Sequence, residues 1–107
     1  MSSEPVYNQP VIVLVGDDLK FSPGTLYATP GALQALKEAG EYAGVYLHRH
    51  VHGDWGDVCP ADGAANDWDL AHGGRLISVY TTRLGVKIWV ITEWDRSATT
   101  LLLPAEY

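Results

Sequence analysis

The sequence predicts an α+β domain in which two to three N-terminal helices pack on a three- to four-stranded antiparallel sheet, a C-terminal meander. Three observations predict it. Helix-start and helix-stop residues bracket segments whose apolar residues recur at spacings of three and four. At Gly73-Gly74 the apolar period changes from about 3.6 to about 2 and stays there. The joints between the later segments are short enough for hairpins. A chain of 107 residues suffices for one domain, 1–107, and not for two.

Residues 1–10 read as a tail, with Pro5, Pro10 and small polar residues. VIVLV (11–15), closed by Gly16-Asp17-Asp18, reads as a strand, buried or added at a sheet edge. Ser22-Pro23-Gly24 is a turn, and residues 25–28 make a short extended piece. Thr29 is a candidate N-cap, with Pro30 at the first helical position, where its missing N–H costs nothing. That helix carries Ala32, Leu33, Ala35 and Leu36 on one stripe and stops at Ala39-Gly40. A second helix is expected over about 41–52, closing at Gly53, with Tyr42, Val45, Tyr46 and Arg49 on its apolar face. A third starts near Pro60, behind Asp57 or Cys59, and ends at His72-Gly73-Gly74. Its stripe is Ala61, Ala64, Ala65 and Ala71, anchored by Trp68. Strands are expected over 75–82, 86–93 and 98–103, with all helices on one sheet face.

Thirteen acidic residues against seven basic give a net charge of −6, which excludes a broad nucleic-acid footprint and fits a basic protein partner. Cys59 is the only cysteine, so no internal disulfide forms and a reducing, cytoplasmic setting is expected. Nothing resembles a signal peptide, and no apolar run approaches the ~18 residues of a membrane span. Four Trp and six Tyr against one Phe suit interfaces as well as cores.

The densest polar stretch is HRHVHGDWGD (48–57). As a strand it would align His48, His50 and His52 for zinc. As a helix end it places His48 and His52 on one face at i, i+4, with His50 pointing roughly the opposite way. The helical reading fits the upstream spacing and Gly53, so the histidines are expected to meet the last-turn carbonyls, with no metal and no cofactor. Gly53-Asp54-Trp55-Gly56-Asp57 reads as a corner plugged by Trp55. Glu93-Trp94-Asp95-Arg96-Ser97 is a second polar cluster at a sheet end. Arg96 is expected to pair with Glu93, Asp95 or the distant Asp54 or Asp57. No nucleophile motif, phosphate loop or dinucleotide fingerprint is present.

From about residue 21 onward the chain resembles a family of small "plasmid-related" proteins of plasmids and integrative conjugative elements, some of which carry a type I restriction subunit name. The resemblance rests on ATPGAL (28–33), RHVHGDWGD (49–57), AAND (64–67), GGRLISVY (73–80) and WVITEWDRSATTLLLPAEY (89–107). It implies a mobile-element gene and carries over no catalytic residue. Of the three histidines, only His50 falls at the family's position. The first twenty residues lie outside it.

Two functions follow as expectations. The first is an acidic binding protein that modulates or inhibits a host nucleic-acid-processing or defence complex, of anti-restriction or anti-CRISPR type. It would work through Asp54, Trp55, Asp57, Asp67, Glu93, Asp95 and Arg96, touching neither nucleic acid nor membrane, with a homodimer left open. The alternative is a small hydrolase or nuclease in which His50, Asp54, Asp57 and Arg96 converge.

Overall fold

The computed structural model describes residues 4–5 and 19–107. The expected VIVLV strand lies outside them. The order is β1 (Glu4–Pro5), β2 (Thr25–Ala28), α1 (Pro30–Ala39), α2 (Ala43–Val51), α3 (Pro60–His72), β3 (Leu76–Thr81), β4 (Lys87–Thr92) and β5 (Ala98–Leu102), then a 3-10 turn, Pro104–Glu106. The class is α+β, as expected.

α1 forms where its end signals put it. The Thr29 hydroxyl accepts from the Ala32 N–H at 3.2 Å, and Gly40 closes the helix in the left-handed conformation, φ 68°. Its Ala32, Ala35 and Leu36 meet Tyr46 and Leu47 of α2 and Tyr80, Ile88, Val90 and Leu101 of the sheet in one core. The buried side of α2 is Ala43, Tyr46, Leu47, His50 and Val51, rotated from the expected one. Tyr42 is the N-cap and stays 49% exposed, and Val45 stays 46% exposed. Small Ala43 lets the start of the helix approach the core, and the Tyr46 ring lies 5.2 Å from that of Tyr80.

The sheet order is β1-β2-β5-β4-β3. The meander β3-β4-β5 is antiparallel as expected. The fully antiparallel sheet is not: β2 pairs parallel with β5, Thr25 opposite Ala98 through Ala28 opposite Leu101. The reason is connectivity. β2 feeds α1, and the chain passes through all three helices and two strands before β5 lies down beside it.

α3 is the second departure. Its alanine stripe does not face the core: only Asn66 of its residues is buried, and Trp68 is 64% exposed. The helix runs along the outer edge of β3 and does not join α1 and α2 on their face. The Asn66 side chain donates to the Ile77 carbonyl at 2.8 Å and accepts from the Ile77 N–H at 3.1 Å. One amide thereby does for the edge strand what a neighbouring strand would do.

The same edge is covered further along by the corner at 55–57. The Val79 N–H donates to the Trp55 carbonyl at 3.0 Å, and the Asp57 N–H donates to the Val79 carbonyl at 2.6 Å. Between them Gly56 has φ 75°, and a Cβ there would collide with the Val79 carbonyl and the Tyr80 ring. Gly56→Ala therefore combines left-handed strain with overpacking and is expected to destabilise by about 2–4 kcal/mol in urea unfolding. A change within about 0.5 kcal/mol, as at an ordinary surface site, would show that the corner is not fixed this way.

Candidate functional site

His50 lies wholly inside, where α2 crosses β3 and β4. Nδ1 is 2.6 Å from the Ser78 hydroxyl and Nε2 is 2.8 Å from that of Thr92. Thr92 in turn is 2.6 Å from Thr99, whose hydroxyl donates to the Pro23 carbonyl at 2.7 Å. That last bond fixes the chain. A carbonyl only accepts and each hydroxyl has one proton, so Thr92 donates to Thr99 and His50 Nε2–H donates to Thr92. Nδ1 is left bare to accept from Ser78. The ring is the neutral Nε2–H tautomer. Burial, reinforced by the positive charge of Arg96, pushes its pKa down to about 3. Phe21 and Trp55 close over it edge-on, at 5.2 and 5.7 Å.

Trp55 is buried as expected, with its indole N–H on the Asp67 carboxylate at 3.0 Å. Asp54 belongs to Arg49, at 2.7 Å, a contact that holds its carboxyl below the usual range. Asp57 accepts from the Thr81 hydroxyl at 2.7 Å, with the Lys87 ammonium 3.9 Å away. Asp95 accepts from the Ser97 N–H at 3.0 Å and so shapes its own turn.

Arg96 departs from expectation. It sits at φ 61°, and among the described residues its guanidinium pairs with no carboxylate. It donates to the carbonyls of Gly74 (2.6 Å), Asp69 (3.1 Å) and Glu93 (3.2 Å). A cation on the carbonyls at the end of α3 is favoured by the helix dipole. Glu93 pairs instead with Arg75, at 3.6 Å. Among the described residues, no hydrogen bond or ion pair joins any two of His50, Asp54, Asp57 and Arg96. The His48 and His52 rings lie tilted against each other, centroids 4.2 Å apart, with His52 Nδ1 at 2.6 Å from the His48 carbonyl. No group of three or more metal-binding side chains gathers among the described residues.

One surface open to a partner is the α3 side. Trp68 stacks on His72, centroids 3.7 Å apart and nearly coplanar, on the outward surface. Between α3 and the sheet face opposite the core lies a groove of about 400 Å³. Asp62 and Asp69 stand on its helical wall. Ile77, Val79 and Trp89 floor it, and Tyr107 closes one end. Trp68, expected to anchor a packed stripe, is exposed, and Asp62, Asp69, Trp89 and Tyr107 stand outside the expected site residues. A usable signal was present: Asp62, Ala65, Asn66 and Asp69 follow i, i+3, i+4, i+7 and so share one helix face.

No helix among the described residues is long and apolar enough to cross a membrane. Searches against family models, curated proteins and solved structures find no match to this chain.

Proposed function

We propose that this chain is an acidic binding protein of a mobile element. It would act in the cytoplasm on a basic, nucleic-acid-processing host protein or defence complex, in an anti-restriction or anti-CRISPR manner. The observation that carries the reading is α3. Thirteen residues long, it buries only Asn66, includes three aspartates and no lysine or arginine, and displays Trp68. A helix that contributes so little to the core, with an exposed aromatic amid carboxylates, suits an interface with a basic surface. The net charge and the resemblance beyond residue 20 agree with it. The expected binding set divides accordingly. Trp55 and Arg96 work inside the fold, while Asp54, Asp57, Asp67, Glu93 and Asp95 ring the surface.

The test is capture of a bacterial nucleic-acid-binding complex by the tagged chain at low and high salt, beside a Trp68→Ala variant. Expected are salt-sensitive capture, a loss of about tenfold or more in the variant, as for an aromatic anchor, and weakened nucleic-acid binding by the captured complex. Capture indifferent to both salt and Trp68 would overturn the reading.

A further inference from the structure

We infer that the groove between α3 and the outer sheet face receives an arginine side chain of the partner, its guanidinium held against Trp89 and shared by Asp62 and Asp69. This rests on the reading above and narrows it from a surface to a pocket.

The walls carry the argument. Asp62 and Asp69 are seven residues apart, two helical turns, so their carboxylates stand about 10 Å apart along one wall. Ala65 lies between them and leaves the space above it open. Among the described residues neither carboxylate has a counter-ion. Arg75, which also lines the groove, is already engaged. Arg75 is 3.6 Å from Glu93, donates to the Tyr107 hydroxyl at 2.5 Å, and lies over the Tyr107 ring at 5.2 Å. The groove therefore offers two uncompensated negative charges facing an apolar and aromatic floor.

The indole of Trp89 is half-buried there, T-shaped with Tyr107 at 5.5 Å between centroids. A tryptophan face is the best aromatic surface for a cation, and arginine uses it more often than lysine. A planar guanidinium can lie on a ring and still donate at its edge to carboxylates, whereas a compact ammonium keeps its hydration. The methylene stem would run over Ile77 and Val79. The fold already contains a small version of this arrangement in Arg75 over the ring of Tyr107, both of which line the groove.

The experiment is titration of the full ¹⁵N-labelled chain at low salt with the peptide Ac-Gly-Arg-Gly-NH2, and with the same peptide carrying citrulline, its neutral isostere. Expected are shifts concentrated on the Trp89 indole and on the amides of Asp62, Ala65 and Asp69. Affinity should be about tenfold or more weaker for citrulline, and should fall similarly in Asp62→Asn/Asp69→Asn. Should the double variant unfold, Ala65→Arg, which puts a guanidinium in the groove from an exposed helix position, must block the peptide. Equal binding of the citrulline peptide overturns the inference, as does an unchanged affinity in a folded double variant or free binding in Ala65→Arg. Shifts centred on Trp68 overturn the groove and leave the α3 surface standing. Absence of shifts, with Trp68-dependent capture intact, overturns the groove alone. Loss of that capture removes the binding reading itself.

Discussion

Unfolding experiments at a series of pH values are expected to show stability falling from pH 6.5 downward, before the carboxylates titrate. The sign follows from His50. Its ordinary value is 6.5 and burial takes it to about 3 in the fold. Between those values the unfolded chain binds a proton that the folded chain does not. The stability conferred by a neutral His50 is complete above pH 6.5 and is lost as the pH falls toward 3. The slope approaches about 1.4 kcal/mol per pH unit well below pH 6.5, so pH 4.5 costs roughly 2 kcal/mol relative to pH 6.5. A protonated ring would present two donors. Nδ1–H would face Ser78, whose proton now points at it and would have to turn away, and the added charge would sit in the interior with Arg96 as its charged neighbour. His50→Gln should flatten the curve between pH 6.5 and 4.5. It should also lower stability at pH 7.5 by about 2–4 kcal/mol, since Ser78 and Thr92 lose their partner in the interior. Asp54, held low by Arg49, adds its own loss only at more acid pH. Parallel slopes for the parent chain and the variant would show that His50 is not the acid-sensitive group. A bare Nδ1 in the ¹⁵N spectrum of the ring is a separate check on the tautomer.

Asn66→Ala should release α3 without unfolding the sheet. Both bonds to the Ile77 backbone disappear, and that N–H and carbonyl are left on an edge partly shielded from water. Two lost bonds and incomplete resolvation amount to about 2–4 kcal/mol, and little apolar contact on α3 offsets it. The effect should be local: amides of α3 lose hydrogen-exchange protection while those of β4 and β5 keep theirs. Asn66→Asp is the sharper variant, because a carboxylate can accept from the Ile77 N–H but has no donor for the carbonyl. It should fall between the parent chain and alanine at neutral pH. Uniform loss of protection in all elements would mean that α3 is part of the cooperative core. Under the proposed function, partner binding should decline in step with α3 docking.

These sites also mark the limit of what the sequence makes legible. Signals that act over a few residues are readable: Thr29-Pro30 and Gly40 bracket α1, Pro60 and Gly73 bracket α3, and the alternation after Gly74 marks the meander. Long-range choices are not. Nothing within residues 25–28 specifies a parallel partner seventy-odd residues later. The alanines around Trp68 have the spacing of a buried face, yet the helix is held by an amide that a polarity pattern scores as solvent-facing. Arg96 carried the right residue type for a carboxylate, but carbonyls at the end of α3 outcompeted the aspartates. For the candidate site the acidic character is legible in composition, whereas Trp89 and Tyr107 meet only through β4 and the turn after β5.

The parallel pairing of β2 with β5 sets an order in time. α1 takes its first hydrogen-bond partners partly from Glu106, whose carboxylate meets the Thr29 hydroxyl and the Gly31 N–H. Beyond its pairing with β1, β2 finds its inner neighbour in residues 98–101. A chain still emerging from the ribosome can close the β3-β4 hairpin early, because that loop is short. It cannot seat β2 or finish the start of α1 until about residue 106 has been made. Closing so long a loop slows the search more than it weakens the product, since the entropic penalty grows only with the logarithm of length. During that interval the faces of Ala28, Leu36 and Leu101 that later meet are all open to water. Synthesis, more than the finished molecule, is where this fold is exposed to aggregation and to proteases.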